Sequence, residues 1–192
     1  RWQHATTLTM NIFYIHENPA TCAQQHVDKH VVKMILEYAQ LLSTAHRVLD
    51  GTVVVGLSKT GRKQTRYVLS SDLETTLYSA THINHPSAVW VRQSIPNYMW
   101  LAEMLEVLCG EYTYRYGKVH KVEKDGLMQA LKNNFPKNLP DAPFTEPTPA
   151  MPDEVKIPGD SIKSYRNYYI NNKTHLASWK NREVPGWYNA NI

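Results

Sequence analysis

No stretch of this chain approaches the ~20 consecutive apolar residues that a membrane-spanning helix needs, and a membrane protein is not expected. Cysteine is scarce. Cys22 and Cys109 both fall inside helical patterns, which argues against a disulfide framework and for buried thiols in a reducing cytoplasm. Nothing resembles a secretory leader, and no internal repeat recurs along the chain. Acidic residues are in the minority, 17 against 21 Lys and Arg, which leaves a net charge of +4. That balance admits a polyanionic partner without demanding one. What remains is the composition of a globular protein, 42% apolar and 20% charged over 192 residues, enough for one domain with a full core. A monomer is expected.

Residues 1–9 show no periodicity, and the pattern that begins at Met10 reads as a natural start, so 1–9 are read as an extension preceding a globular domain over 10–192. Asn11 to Ile15 form an extended lead-in. Asn18 and Pro19 read as N-cap and first position of a long helix running to Leu49, stopped at Asp50-Gly51. Two β-branched runs around a basic, glycine-containing turn predict a hairpin over 52–69, followed by a short helical pattern from Asp72 to Ala80. Pro86 opens a further helix, with His82, Asn84 and His85 at or before its start, and Ser94 and Pro96 open another that carries an apolar stripe from Tyr98 to Tyr116. Seven of the eleven prolines fall in 136–158, too dense for a regular element. That segment is expected to wrap over the helices, pinned by Phe144, Met151 and Ile157. A last helix follows from Asp160 or Ser161 through Tyr165, Tyr169, Leu176 and Trp179. The fold class is therefore mainly α: a compact single-domain helical bundle with one β-hairpin insertion and a long proline-rich loop.

The long helix carries the chemistry. Val27, Val31, Val32, Met34, Ile35, Leu36, Tyr38, Ala39, Leu41 and Leu42 cover most of its circumference, as in a buried helix. His26, His30, Lys33, Glu37, Gln40 and Thr44 follow one another at spacings of three and four, which places them on one seam. Lys33 and Glu37 combine an amine able to attack an electrophilic carbon with a carboxylate able to move protons. Their bland counterpart is an ordinary ion pair one turn apart. His26 and His30, joined by His82 and His85, have the residue types for zinc or another divalent metal, although a lysine amid such ligands argues against one; the first reading holds no metal or cofactor. A third possibility is that the two helix histidines merely hydrogen-bond within the core.

Lys59, Arg62, Lys63 and Arg66 on the hairpin have no acid nearby and suit phosphate contacts, or else simply solubilise the hairpin. Arg166, Lys173 and Lys180 accompany Tyr165, Tyr168 and Tyr169 near the last helix, a mixture used to bind nucleic acid but also found in aromatic cores.

Three blocks together resemble a known family. Asn11-Ile12-Phe13 with Val27-Asp28-Lys29-His30-Val31-Val32-Lys33 and Glu37, then Asn84-His85-Pro86-Ser87-Ala88-Val89-Trp90 continuing to Cys109 and Glu111, then Lys173 to Trp187-Tyr188, resemble bacterial and phage pyrimidine-dimer DNA glycosylases. The wording also resembles uncharacterised proteins of marine phages. The resemblance implies a compact helical fold that bends DNA, flips a base and cleaves the glycosidic bond with an amine, followed by a Schiff-base lyase step. The family's amine is a freed N-terminus and its glutamate lies on the first long helix. Here that glutamate position falls on Lys33, with Glu37 one turn later, and Asn11 after Met10 does not favour methionine removal. The expected function is thus a DNA-acting enzyme of base-excision or base-modification type, with Lys33 or an N-terminal amine as nucleophile, Glu37 as acid/base, and His26, His30 and His85 orienting the substrate. The alternatives are a metal-dependent hydrolase or base-modifying enzyme built on the histidines, and a DNA-binding protein without catalysis.

Overall fold

The computed structural model describes residues 10–189 and is mainly α-helical, with one two-stranded antiparallel hairpin. The expected 1–9 extension lies outside the described residues. In order, the elements are α1 (Pro19–Gln24), α2 (Asp28–Asp50), β1 (Thr52–Leu57), β2 (Lys63–Val68), α3 (Leu73–Thr76), α4 (Pro86–Val91), α5 (Ile95–Tyr116), α6 (Lys121–Lys124), α7 (Leu127–Asn133), α8 (Ser161–Asn172) and α9 (Gly186–Asn189). Short 3-10 turns lie at Asp153–Val155 and Thr174–Leu176. Among the described residues no helix is long and apolar enough to cross a membrane.

α2 is the central element, and its buried residues share one apolar cluster with α1, α4, α5, α7, α8 and the segment 10–15. That segment belongs to no helix or strand and is buried: the Phe13 N–H donates to the Tyr38 hydroxyl at 3.1 Å. α5 begins as its sequence implies, with the Ser94 hydroxyl accepting from the Asn97 N–H, and ends at Gly117 with φ at +70°.

The single helix expected from Asn18 to Leu49 is two helices. α1 stops at Gln24 because the carbonyls of the next turn are claimed from outside. Arg115 of α5 donates to the carbonyls of Gln24 and His26, each at 2.8 Å, and the Trp179 indole donates to that of Gln25 at 2.8 Å. Asp28 then starts α2, its carboxylate accepting from Arg115, from the Ser178 hydroxyl and from the Lys180 N–H. A second difference concerns the buried side of α2. Val32 and Leu36 are exposed, beside Lys29 and Lys33. The helical pattern at 72–80 also shortens to the single turn of α3, and the last helix ends at Asn172.

The proline-rich segment does wrap over the helices, though its anchors are mainly polar. Asn97 accepts from the Thr145 N–H and donates to its hydroxyl, both at 3.0 Å, and the Trp90 indole donates to the Thr145 carbonyl at 2.9 Å. Met151 and Val155 are buried, whereas Phe144 stays partly exposed over Trp90 and Trp100.

Candidate functional site

An open cleft of about 480 Å³ lies between α2, the start of segment 10–15 and the loop from Tyr78 to His82. Met10, Leu36, Glu37, Gln40, Tyr78, Ser79, Thr81 and His82 line it. Its chemistry centres on Glu37, which is 9% exposed. One carboxylate oxygen accepts from the Met10 N–H at 3.1 Å, and the other lies 3.7 Å from the Lys33 ammonium, whose side chain is half exposed. The Thr44 hydroxyl accepts from the Thr81 N–H at 3.2 Å and so ties the loop to α2. Met10 and His82 both have left-handed backbones, with φ at 43° and 48°. Only one other non-glycine residue among those described does so, and such conformations cluster where a site holds its backbone under constraint.

Glu37 and Gln40 of the predicted seam thus line the cleft, where His82 joins them from the facing loop; Lys33 does not line it but lies beside Glu37. The other histidines do not line it. His26 is fully buried, its Nδ1 bonded to the Cys22 carbonyl and its Nε2 to the Tyr38 hydroxyl, both at 2.8 Å. Burial pushes its pKa down to about 4, with the Arg115 charge adding to the shift against the bond to the Cys22 carbonyl. His30 stacks on Phe13 with ring centroids 4.1 Å apart and bonds the Tyr169 hydroxyl at 2.8 Å. Burial, then the charges of His26, Lys173 and Lys33, lowers its pKa to about 2. His85 is half-buried and caps α4, its Nδ1 accepting from the Ser87 N–H. Among the described residues no group of three or more His, Cys, Asp or Glu stands close enough to hold a metal ion, so the set His26, His30, His82 and His85 is not assembled. Cys22 and Cys109 are free and buried.

The basic residues are spread over distinct surfaces. Lys59, Arg62, Lys63 and Arg66 are all exposed on the hairpin. Its second strand adjoins the cleft, because Gln64, Thr65, Arg66 and Tyr67 line a small cavity whose far wall includes Ser79, shared with the cleft itself. Lys173, at the end of α8, lies over the Tyr168 ring at 4.9 Å, and burial followed by the neighbouring Lys33 charge lowers its pKa. Arg166 donates to the Ile15 carbonyl and stacks on Trp187, lining a separate cavity with Lys163. The Lys180 ammonium lies over Tyr116 at 5.3 Å.

Two arginines to which the sequence assigns no site role organise this arrangement, Arg115 having the look of a cation that merely suits a helix C-terminus. Arg47 is 4% exposed and makes five hydrogen bonds, to the carbonyls of Tyr67, Glu74, Leu77 and Tyr78 and to the Glu74 carboxylate. It joins the base of the hairpin to the loop that floors the cleft. Arg115 does the same for the junction of α1 and α2. For Arg115 the available signal was Glu111 one turn earlier on the same helix, while nothing local marked Arg47. Comparison with protein-family models, curated protein sequences and solved structures finds no match to this chain.

Proposed function

We propose that the chain is a DNA-acting enzyme of the base-excision type, related to the pyrimidine-dimer DNA glycosylases, with its site in the Glu37 cleft. The observation that carries this reading is a carboxylate held at 3.1 Å by a backbone N–H and at 3.7 Å by an amine, in a cleft that adjoins a basic hairpin. The volume of about 480 Å³ suits a single flipped base. In this scheme the Lys33 amine attacks the sugar C1′ as the bond to the base breaks, and the departing base takes up a proton. The sugar ring then opens to leave an iminium between C1′ and Nζ. Glu37 moves the protons of these steps, and Gln40 and His82 lie where an extruded base would meet polar groups. In a chain whose translation starts at Met10, the terminal amine would stand beside the same carboxylate and compete with Lys33 as nucleophile. His26 and His30 hold α2 in place from behind.

Borohydride reduces such an iminium to a stable secondary amine, which makes the scheme testable. The protein is incubated with duplexes carrying abasic sites or damaged thymines, reduced, and examined for a covalent adduct. Lys33→Ala should remove the adduct, and Lys173→Ala is the control for a neighbouring amine. A chain begun at Met10 tests the terminal amine. Glu37→Gln should slow base release by about 10²- to 10⁴-fold with DNA binding retained. Neither adduct nor base release, with binding intact, would leave a DNA-binding protein without catalysis.

A further inference from the structure

We infer that β1 and β2 form a ribbon that enters the major groove of the duplex with Arg66 and Gln64 directed at base edges. The inference rests on the DNA-acting reading above and adds the element that reads the duplex.

The hairpin contributes almost nothing to the core. Every residue of β1 is exposed, as are Lys63 to Arg66 of β2, and Leu57 shows 74% of its surface. A two-stranded hairpin is at best marginally stable by itself. This one is tied to the body at its base by the Arg47 bond to the Tyr67 carbonyl, and the β2 residues from Gln64 to Tyr67 share a small cavity with Glu74, Ser79 and Ala80, while every residue of β1 is exposed. Six residues per strand at about 3.3 Å each give an arm roughly 20 Å long, and two strands lie about 4.8 Å apart. The major groove, about 12 Å wide and 8.5 Å deep, admits a two-stranded ribbon.

The register decides which side chains would face the bases. Val54 pairs with Arg66 and Gly56 with Gln64, so these four share one face. Nothing lies within 4 Å of where a Cβ on Gly56 would stand, so that face is low around Gln64 and leaves the side chain proud of the ribbon. Arginine pairs in bidentate fashion with guanine O6 and N7, glutamine with adenine N6 and N7, and an aliphatic side chain such as Val54 meets a thymine methyl. Lys63 lies on the opposite face, and Lys59 and Arg62 sit in the tip turn, where they would meet phosphates and fix register without reading sequence.

Charge and composition narrow the occupant further. No acidic residue occurs from Gly51 to Ser71, so the ribbon is cationic throughout. Edge pairing with a second copy would bring like charges together. A single strand would want aromatic faces to stack on, and the ribbon has only Tyr67, half-buried at its base.

The experiment uses the full chain and a randomised duplex pool, followed by guanine-N7 methylation interference on the selected duplex and by anisotropy against its separated strands. Duplex should bind about tenfold or more tightly than either strand, and methylation of one or two guanines should block binding. Arg66→Ala should abolish that interference and weaken the selected duplex by about 5- to 150-fold, whereas Lys63→Ala should weaken all duplexes alike and lower the salt dependence. Circular dichroism of each variant checks that the fold is intact. Equal or tighter binding of single strands would overturn the inference, and so would duplex binding without N7 interference, or interference unchanged in Arg66→Ala. If these fail while borohydride adducts still form, only the ribbon reading falls. Failure to bind any DNA would remove the proposed function with it.

Discussion

Gly51 ends α2 by close contact and not by conformational freedom. Its φ of −82° is open to any residue, yet a Cβ there would overlap the Arg47 carbonyl oxygen, which accepts the Gly51 N–H at 2.9 Å. The helix therefore stops where the sequence places the stop, for a reason that lies in three dimensions. Gly51→Ala must shift either the last turn of α2 or the start of β1, at a cost of about 1–3 kcal/mol. Urea unfolding should show a lower midpoint at an unchanged slope. A midpoint equal to the parent's would mean that the helix end yields freely. Glu37 is the converse case at this scale. Its place on the seam was legible from the spacing to Lys33, because both lie within α2, while its bond to the Met10 N–H was not, since it crosses 27 residues.

Helices were legible where their own sequence makes them, and not where distant groups break them. The N-caps at Asn18 and Ser94 and the prolines at 19, 86 and 96 act over three or four residues, and each marks a helix start that the structure has. The break between α1 and α2 depends on Arg115 and Trp179, 87 or more residues away, and no local period carries that information. Val32 and Leu36 misled for a related reason. An apolar residue is a poor guide to burial when its face of the helix ends at the molecular surface. Arg47 offers the sharpest test at the scale of elements, since one side chain binds α2 to the hairpin base, to α3 and to the cleft loop at once. Arg47→Met should cost about 3–5 kcal/mol, because the carbonyls of Tyr67, Leu77 and Tyr78 lose their donor and the Glu74 carboxylate loses its cation. Amide hydrogen exchange should rise first in 64–81. A uniform rise across the chain would mean instead that these elements unfold only with the whole.

Three histidine–tyrosine pairs run through the molecule, His26 with Tyr38, His30 with Tyr169 and His46 with Tyr98, each at 2.8 Å. They peg α2 and its junction to α8 and α5, and they show why a line of imidazoles need not be a reactive one. Histidines recurring at helical spacing look alike in sequence whether they face solvent, a metal or a tyrosine hydroxyl, and the tyrosines that settle the matter lie 12, 139 and 52 residues away. All three imidazoles are kept neutral by burial, which lowers their pKa from 6.5 to about 4 for His26, to about 2 for His30, and downward for His46. The sign of the consequence follows from proton binding. Once unfolded, each histidine titrates near 6.5, while the folded forms resist protonation until well below that, so the unfolded chain binds more protons as pH falls. Stability is thus complete above the unfolded value and declines as pH drops from 6.5 toward 4, with His26 alone contributing roughly 3 kcal/mol over that range. The melting temperature should be level above neutrality and fall between pH 6.5 and 4. His26→Gln, which loses the titrating group while offering the Tyr38 hydroxyl an amide partner, should reduce that fall even if it melts lower at neutral pH. A melting temperature equal at pH 7 and pH 5 would mean that the three imidazoles take up protons as readily in the folded protein as in the unfolded chain, and burial would then not be what keeps them neutral.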